Sequence, residues 1–378
     1  MKKLSIYVHI PFCLHKCSYC NFVSFCNRND KKDDYVSSVC EEIKMQGKEF
    51  GKFYDVTSIY IGGGSPSVLK EGQIAKIITE IKNNFRVLSN CEISVELNPG
   101  SVTEKKLLEY KLVGANRLSI GGQTLNDNIL RTLGRHHTVN DTKQAIKLAQ
   151  KIGFENINVD MILALPGQKM KDVKKMANFL IKKKIHHISA YSLILEPSTP
   201  LYKQVKAGRV TLPTEDESVE MYNYVFSFLN KKGFKRYEVS NFSLPDYESK
   251  HNLNYWQMGE YLACGLAGHS YMNNTRIANT ENLDDYLQKI SEGKIPVVSK
   301  EKVTINQRKD ETIMLALRTS EGLNLKEFDA QFHCNLLTDK KKEIEFLTNH
   351  NFISVKNGYL RVNDNAFYVL NSIIAKLV

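Results

Sequence analysis

The chain alternates short apolar runs with longer stretches of helical periodicity. Six apolar runs rich in β-branched and aromatic residues are predicted to be strands, at residues 4–10, 56–61, 91–97, 116–120, 156–162 and 187–193. Before the sixth run, Val173, Met176, Leu180 and Ile181 share one face of a predicted helix whose lysines lie elsewhere. Strands that alternate with helices predict an α/β fold, with a parallel sheet closed into a full or partial (β/α) barrel.

The pattern changes from about Val303 onward. Helical periodicity there gives way to two short apolar runs, 352–355 and 359–362, on either side of Asn357-Gly358. Asn-Gly between such runs is a strong hairpin signal. We therefore predict a barrel over residues 1–235, a connecting segment over 236–302, and a small helical, winged-helix-like domain over 303–378.

Composition and charge narrow the class of protein. Of the 378 residues, 42% are apolar and 25% charged, as in ordinary globular proteins. Scattered cysteines predict a reducing, cytoplasmic location, and no apolar run could span a bilayer, so any membrane contact would be peripheral. The net charge of +11 makes nucleic-acid binding an alternative function. The basic residues are dispersed, however, and even the run Lys340 to Lys342 is followed by the acidic residues Glu343 and Glu345. We do not expect a nucleic-acid partner.

Three cysteines carry the first chemical signal. Cys13, Cys17 and Cys20 follow the first predicted strand with the spacing C-x3-C-x2-C, and no fourth cysteine completes a compact set. An iron-sulfur cluster held by three thiolates keeps one iron open to a small molecule. A structural zinc site, with His9 or His15 as fourth ligand, is the alternative. The other five cysteines, Cys26 among them, need no special role.

Residues 7–13 and 17–20 resemble the radical S-adenosylmethionine superfamily, and within it the group of oxygen-independent coproporphyrinogen oxidases. The resemblance continues over nearly the whole chain, through residues 62–67, 96–100, 117–123, 134–137 and 160–168. The segment HNLNYW, residues 251–256, is similar to a motif of the haem chaperone branch of that group. Phe22 occupies the position where the oxidases carry a fourth cysteine, which also favours the chaperone branch.

The resemblance implies two cofactors and their ligands. Cys13, Cys17 and Cys20 would hold a 4Fe-4S cluster, and the carboxyl ends of the strands would carry the remaining cofactor residues. Glycine backbone, a serine hydroxyl, carboxylates, an amide and a guanidinium suit the amino-acid and ribose groups of S-adenosylmethionine. The residues implied to bind it are Tyr7, Gly63, Gly64, Ser65, Glu96, Gln123, Arg135 and Asp160.

The HNLNYW segment permits two interpretations. His251 could ligate haem iron while Tyr255 or Trp256 packs against the porphyrin, or the segment could be a buried polar cluster. We expect a haem chaperone that takes haem as cargo and passes it to apoproteins. The alternative is an oxygen-independent coproporphyrinogen III dehydrogenase that uses a 5'-deoxyadenosyl radical. The sequence leaves open whether the protein is an enzyme and whether it forms a homodimer.

Overall fold

The computed structural model describes residues 1–378. Twelve strands form the main sheet, and three form a small second sheet near the carboxyl terminus. The strands of the main sheet are β1 (Lys2–Ile10), β2 (Tyr54–Gly63), β3 (Arg86–Leu97), β4 (Arg117–Gln123), β5 (Asn156–Leu163), β6 (His187–Ser192), β7 (Lys235–Arg236), β8 (Asn241–Ser243), β9 (Tyr261–Cys264), β10 (His269–Met272), β11 (Thr275–Asn279) and β12 (Val297–Lys302). The small sheet contains β13 (Leu323–Asn324), β14 (Ile353–Lys356) and β15 (Tyr359–Val362).

Fifteen α-helices connect and cover these strands. Those of the first half are α1 (Lys32–Phe50), α2 (Gln73–Asn84), α3 (Glu104–Leu112), α4 (Asp127–Thr132), α5 (Val139–Lys151), α6 (Met170–Lys182), α7 (Pro200–Lys206) and α8 (Glu215–Lys231). Those of the second half are α9 (Lys250–Trp256), α10 (Leu283–Ser291), α11 (Ile305–Ala316), α12 (Leu325–Phe332), α13 (Leu336–Asp339), α14 (Lys341–Asn349) and α15 (Leu370–Leu377).

The main sheet is a partial barrel. Its strand order is β12-β11-β10-β9-β1-β2-β3-β4-β5-β6-β8-β7, and β1 to β6 pair in parallel. Strand β9 adds in parallel to β1, with Ser5 opposite Tyr261, and antiparallel strands extend both edges. Because the edge strands β12 and β7 do not pair with each other, the sheet does not close.

The six predicted parallel strands are confirmed, as is the predicted hairpin. In the hairpin, both Asn357 and Gly358 have positive φ, at 54° and 79°, which is the backbone conformation of a type I′ turn. The predicted face of α6 is confirmed too, because Val173, Met176 and Leu180 are buried while the helix's lysines are exposed.

Residues alternate between two environments along the parallel strands. Leu4, Ile6 and Val8 of β1 belong to the 57-residue core shared with the covering helices. The alternate positions are polar, and the register places Ser5 opposite Ser58 and Tyr7 opposite Tyr60. Since successive strand residues point to opposite faces, the face turned away from the helices is a polar interior. The candidate site occupies one end of that interior.

The carboxyl-terminal part has its own core of 17 buried residues. Arg236 of the main sheet joins the two parts, because its guanidinium lies 3.3 Å from the centre of the Phe367 ring and donates to Asp364 at 2.6 Å. The helices and antiparallel hairpin agree with the predicted small domain, while the domain limits at residues 235 and 302 stay predictions. None of the helices combines the length and apolar character needed to cross a membrane.

Candidate functional site

A cavity of about 560 Å³ opens at the carboxyl ends of the parallel strands. Nearly every residue predicted to bind the cluster or S-adenosylmethionine lines it. They are Cys13, Cys17, Cys20, Gly63, Gly64, Ser65, Glu96, Gln123, Arg135 and Asp160. Residues from six separated segments thus meet at one rim, the end of the sheet where parallel α/β folds carry their chemistry.

Backbone hydrogen bonds fix the loop that carries the three cysteines. Phe12 and Phe25 form a parallel bridge, in which the amide of Cys13 donates to the Phe25 carbonyl at 3.0 Å. The amide of Ser18 donates to the carbonyl of Leu133, after α4, at 2.9 Å. The loop is therefore anchored at its start and its middle, which holds the three thiols against one cavity.

The chemistry of this donor set fits an iron-sulfur cluster better than a zinc ion. His9, one of the two candidates for the fourth zinc ligand, uses both ring nitrogens: Nδ1 lies 3.0 Å from the Tyr7 hydroxyl and Nε2 lies 2.9 Å from the Val23 carbonyl. His15 stacks on His136 with ring centres 3.4 Å apart. No group of three or more His, Cys, Asp or Glu side chains is arranged to hold a single metal ion.

Burial raises the pKa of the Cys13 thiol to about 11 and also raises the pKa of Cys20. Both groups are therefore thiols at neutral pH when nothing binds them. Because iron binds thiolates, a cluster would have to displace their protons.

Two glycines shape the wall beside the cysteines. A Cβ atom on Gly64 would lie 2.8 Å from the Phe12 carbonyl oxygen and 3.0 Å from Cys13 Sγ, which is too close for any side chain. Gly63 has φ of +112°, and a Cβ there would meet the His9 ring at 2.6 Å. Only glycine therefore allows β2 to pass so close to the cysteine loop, and it leaves bare backbone facing the cavity.

Glu96 and Asp160 place two carboxyl groups at the floor of the cavity. The Tyr60 hydroxyl donates to Glu96 Oε1 at 2.8 Å and the Gly63 amide donates to Oε2 at 3.2 Å. Burial, together with the nearby Asp160, raises the pKa of Glu96 to about 7, and burial raises the pKa of Asp160 as well. Two carboxyl groups at this depth suit ligand hydroxyls or a ligand ammonium.

Gln123 and Arg135 bring polar atoms that nothing in the protein satisfies. Arg135 Nη2 donates to the Gly121 carbonyl at 2.9 Å, yet its Nε is buried without a partner. Gln123, at the end of β4 with φ of 62°, buries Oε1 without a donor. Since buried polar groups are normally paired, these atoms mark the wall as one built to contact a polar ligand.

Tyr7 does not line the cavity. Its side chain is half-buried, its ring stacks on Tyr60 with ring centres 6.3 Å apart, and its hydroxyl lies 3.0 Å from His9 Nδ1. Burial raises its pKa well above the usual value. The structure therefore places Tyr7 in the supporting layer of the site.

The HNLNYW segment forms most of α9 and is split between two environments. His251 is only 1% exposed and lies inside the barrel, where burial lowers its pKa to about 3. The Ser58 hydroxyl donates its proton to Ser5, so it can only accept from His251 Nδ1, which lies 2.9 Å away. The other ring nitrogen of His251, Nε2, therefore accepts from the Tyr255 hydroxyl at 2.9 Å. Trp256 instead lines a separate cavity. The three residues do not meet in one open pocket, and their haem-binding role stays a prediction.

A polar network below the cavity was missed by the sequence reasoning. Asn158 donates to Asp160 at 2.7 Å and also contacts His187, whose Nε2 lies 2.7 Å from the Tyr237 hydroxyl. Arg117 is buried close to this network, and burial, together with the charge of Arg117, lowers the pKa of His187 well below its usual value. The period-two alternation of polar residues in β4 and β5 was the signal that could have revealed it.

Sequence profiles and relatives agree with this geometry. Residues 7–180 match the profile of the Radical SAM superfamily, and residues 304–369 match that of the HemN C-terminal domain. The chain is 34% identical over 377 residues to the heme chaperone HemW of Lactococcus lactis, covering 100% of this chain and 98% of that relative. It is 36% identical over 329 residues to the heme chaperone HemW of Bacillus subtilis, covering 87% of this chain and 86% of that relative.

Among solved structures, coproporphyrinogen III oxidase (HemN) from Escherichia coli, described as a radical SAM enzyme, has a TM-score of 0.87 to this chain. The two are 20% identical, and the match covers 100% of this chain and 90% of the other. At that identity the likeness shows the fold alone, and it confirms the fold class predicted from the sequence.

Proposed function

This chain belongs to the HemW family of the radical S-adenosylmethionine superfamily, and on that premise we propose that it is a haem chaperone, which binds haem and transfers it to apoproteins. The observation that carries the proposal is the end-to-end likeness to the Lactococcus lactis heme chaperone. Phe22 supports it, because an exposed phenylalanine lines the cavity rim where the oxidases have a cysteine.

Membership of the superfamily implies a 4Fe-4S cluster and S-adenosylmethionine. In our proposal, Cys13, Cys17 and Cys20 hold the cluster, and a set of three thiolates leaves one iron available to a ligand. The bare backbone of Gly63 and Gly64 admits the amino-acid end of S-adenosylmethionine, with Ser65 beside it.

The remaining groups would orient that ligand. Glu96 and Asp160 accept from its ammonium or hydroxyl groups, Arg135 donates from the buried Nε, and Gln123 accepts at the unpaired Oε1. Tyr7 acts indirectly, by packing under Glu96 through Tyr60. The same cavity supports the second candidate function, radical oxidation of coproporphyrinogen III, since the three cysteines and every residue proposed for S-adenosylmethionine except Tyr7 line it.

The deciding experiment is an anaerobic titration of the cluster-reconstituted protein with haem, followed by transfer to an apo-haemoprotein. A parallel reaction supplies coproporphyrinogen III, S-adenosylmethionine and a reductant. We expect stoichiometric haem binding, transfer to the acceptor and no porphyrinogen turnover. Sustained conversion of the porphyrinogen without specific haem binding would refute the chaperone and establish the oxidase.

Two cysteine variants complete the test. Cys17→Ala should abolish the visible absorbance of the cluster, because two thiolates remain where three are needed. Cys334→Ala is the matched control, since that thiol follows α12, packs against the carboxyl-terminal core and does not line the cavity. A fully occupied cluster in Cys17→Ala would remove Cys17 from the ligand set.

A further inference from the structure

A second cavity, of about 810 Å³, lies between α9 and the carboxyl-terminal domain. Leu253 and Trp256 of α9 form one wall, and residues of α11, α12 and β15 form the others, including Phe328 and Tyr359. The volume falls within the range of roughly 300–1,000 Å³ seen for small-molecule and cofactor sites. Neither His251 nor Tyr255 lines it, so the HNLNYW segment reaches this cavity through its apolar members.

Met258 enters the cavity from the turn that follows α9. Its φ is 56°, in the left-handed region that glycine or asparagine usually occupies, and its amide donates to the Tyr255 carbonyl at 3.2 Å. This left-handed residue completes the turn that ends α9, in which the next amide, that of Gly259, donates to the Asn254 carbonyl at 2.8 Å. The turn thus fixes a thioether two residues after Trp256, against the same cavity.

The cavity also presents cations without acidic partners. Arg308 of α11 buries its Nε without any hydrogen-bond acceptor. Arg361 of β15 donates only to the Glu321 carbonyl and stacks on Tyr359, with its guanidinium carbon 5.0 Å from the ring centre. The carboxylates that share the lining are those of Glu248, Glu321 and Glu327, and none of them forms an ion pair with Arg308 or Arg361. A half-buried guanidinium without an ion-pair partner favours an anionic ligand group.

We propose, on the basis of the chaperone function above, that the haem cargo binds in this second cavity, with Trp256 against the porphyrin, Met258 as an iron ligand, and Arg308 beside a propionate. An aromatic wall, a soft thioether and an unpaired guanidinium match the plane, the metal and the carboxylates of haem. His251 then acts as a positioning residue. Its Nε2 already accepts a hydrogen bond from Tyr255, which adjoins Trp256, so it supports the wall without touching iron.

The test titrates haem into the full-length, cluster-loaded protein and records absorption and magnetic circular dichroism of the ferric and ferrous complexes. Met258→Gly should remove the spectral signature of thioether ligation, and it should fold normally because glycine relieves the positive φ. Met170→Leu, at the start of α6, is the matched methionine control. Arg308→Gln should weaken haem affinity roughly tenfold, as expected for loss of a charged hydrogen bond.

Arg209→Gln, at an exposed loop position, removes the same charge away from the cavity and should leave affinity unchanged. The assignment of haem to this cavity is overturned if Met258→Gly keeps the wild-type spectra and Arg308→Gln keeps the wild-type haem affinity. In that case haem binding by the wild-type protein would still support the chaperone function. If His251→Ala loses the axial-ligand signature and Met258→Gly keeps it, the imidazole of His251 is the iron ligand and the assignment of Met258 is refuted. Absence of haem binding by the wild-type protein would instead refute the proposed function itself.

Discussion

The ring of Tyr60 stacks on the ring of His251, with centres 5.1 Å apart and planes 29° from parallel. The hydroxyl of the same tyrosine donates to Glu96 in the rim cavity. One side chain on β2 therefore touches a proposed cofactor residue at one end and the HNLNYW segment at the other. Tyr60 therefore connects the rim cavity to the HNLNYW segment by direct contact, so that a change in the position of Glu96 can alter the position of His251.

Glu96 should make S-adenosylmethionine binding depend on pH. Burial raises its pKa to about 7, so the group is neutral below that pH and a carboxylate above it. A carboxylate binds the ligand's ammonium better than a neutral acid does, so affinity should fall by up to about tenfold per pH unit below 7. Anaerobic calorimetry from pH 6 to 8 measures the slope, and Glu96→Gln should flatten it. An equally steep slope in that variant would assign the titration to another group.

Removing the Tyr60 hydroxyl should move this pH midpoint upward. Its hydrogen bond stabilises the Glu96 carboxylate and thereby holds the pKa lower than burial alone would set it. In Tyr60→Phe, we expect the midpoint of the same calorimetric profile to rise while the ring still packs on His251. Tyr54→Phe, at the other end of β2, is the matched control and should keep the wild-type midpoint. A downward shift in Tyr60→Phe would contradict the assigned hydrogen bond.

Gly64→Ala should impair assembly of the cluster. The added methyl group would meet the Phe12 carbonyl oxygen and Cys13 Sγ, and relieving such overpacking costs about 1–3 kcal/mol. We expect lower iron content and weaker visible absorbance after reconstitution, with normal far-ultraviolet circular dichroism. Gly100→Ala is the control, because its Cβ would come no nearer than 3.3 Å to another atom. Full iron loading in Gly64→Ala would show that the cysteine loop can move aside.

His251→Ala should destabilise the barrel and spare the cluster. The change empties a buried site and leaves the hydroxyls of Ser58 and Tyr255 without their partner, which together cost about 2–4 kcal/mol. Thermal unfolding should therefore begin at a lower temperature, with unchanged cluster absorbance in the folded protein. His269→Ala, at an exposed position on β10, should leave the unfolding temperature within error of wild type. An unaltered unfolding temperature in His251→Ala would mean that water replaces the ring without loss.

Local signals made much of this fold predictable. The strand that ends before Cys13, the hairpin at Asn357-Gly358 and the buried face of α6 are each encoded within a dozen residues, and the structure contains all three. The meeting of the cofactor residues at one rim was predictable as well, because parallel strands bring their carboxyl ends together.

The position of His251 was not predictable in the same way. It depends on α9 packing against β2, so that His251 contacts Ser58, a partner 193 positions earlier in the chain. No local pattern reports such a contact, and the same holds for the cavity beside Trp256, which exists only because two cores pack together. The extent of barrel closure likewise depends on which edge strands find partners.

The pairing of β1 with β9 has a consequence for synthesis on the ribosome. Residues 5 to 8 lie between β2 and β9, so one side of this strand lacks its partner until residues 261–264 have emerged. At translation rates of roughly 5–20 residues per second, the delay is about 10–50 s. During that interval the cysteine loop is already outside the tunnel while the strand leading to it is paired on one side only. We therefore expect the strand that leads to the cysteine loop to reach its final pairing only late in synthesis.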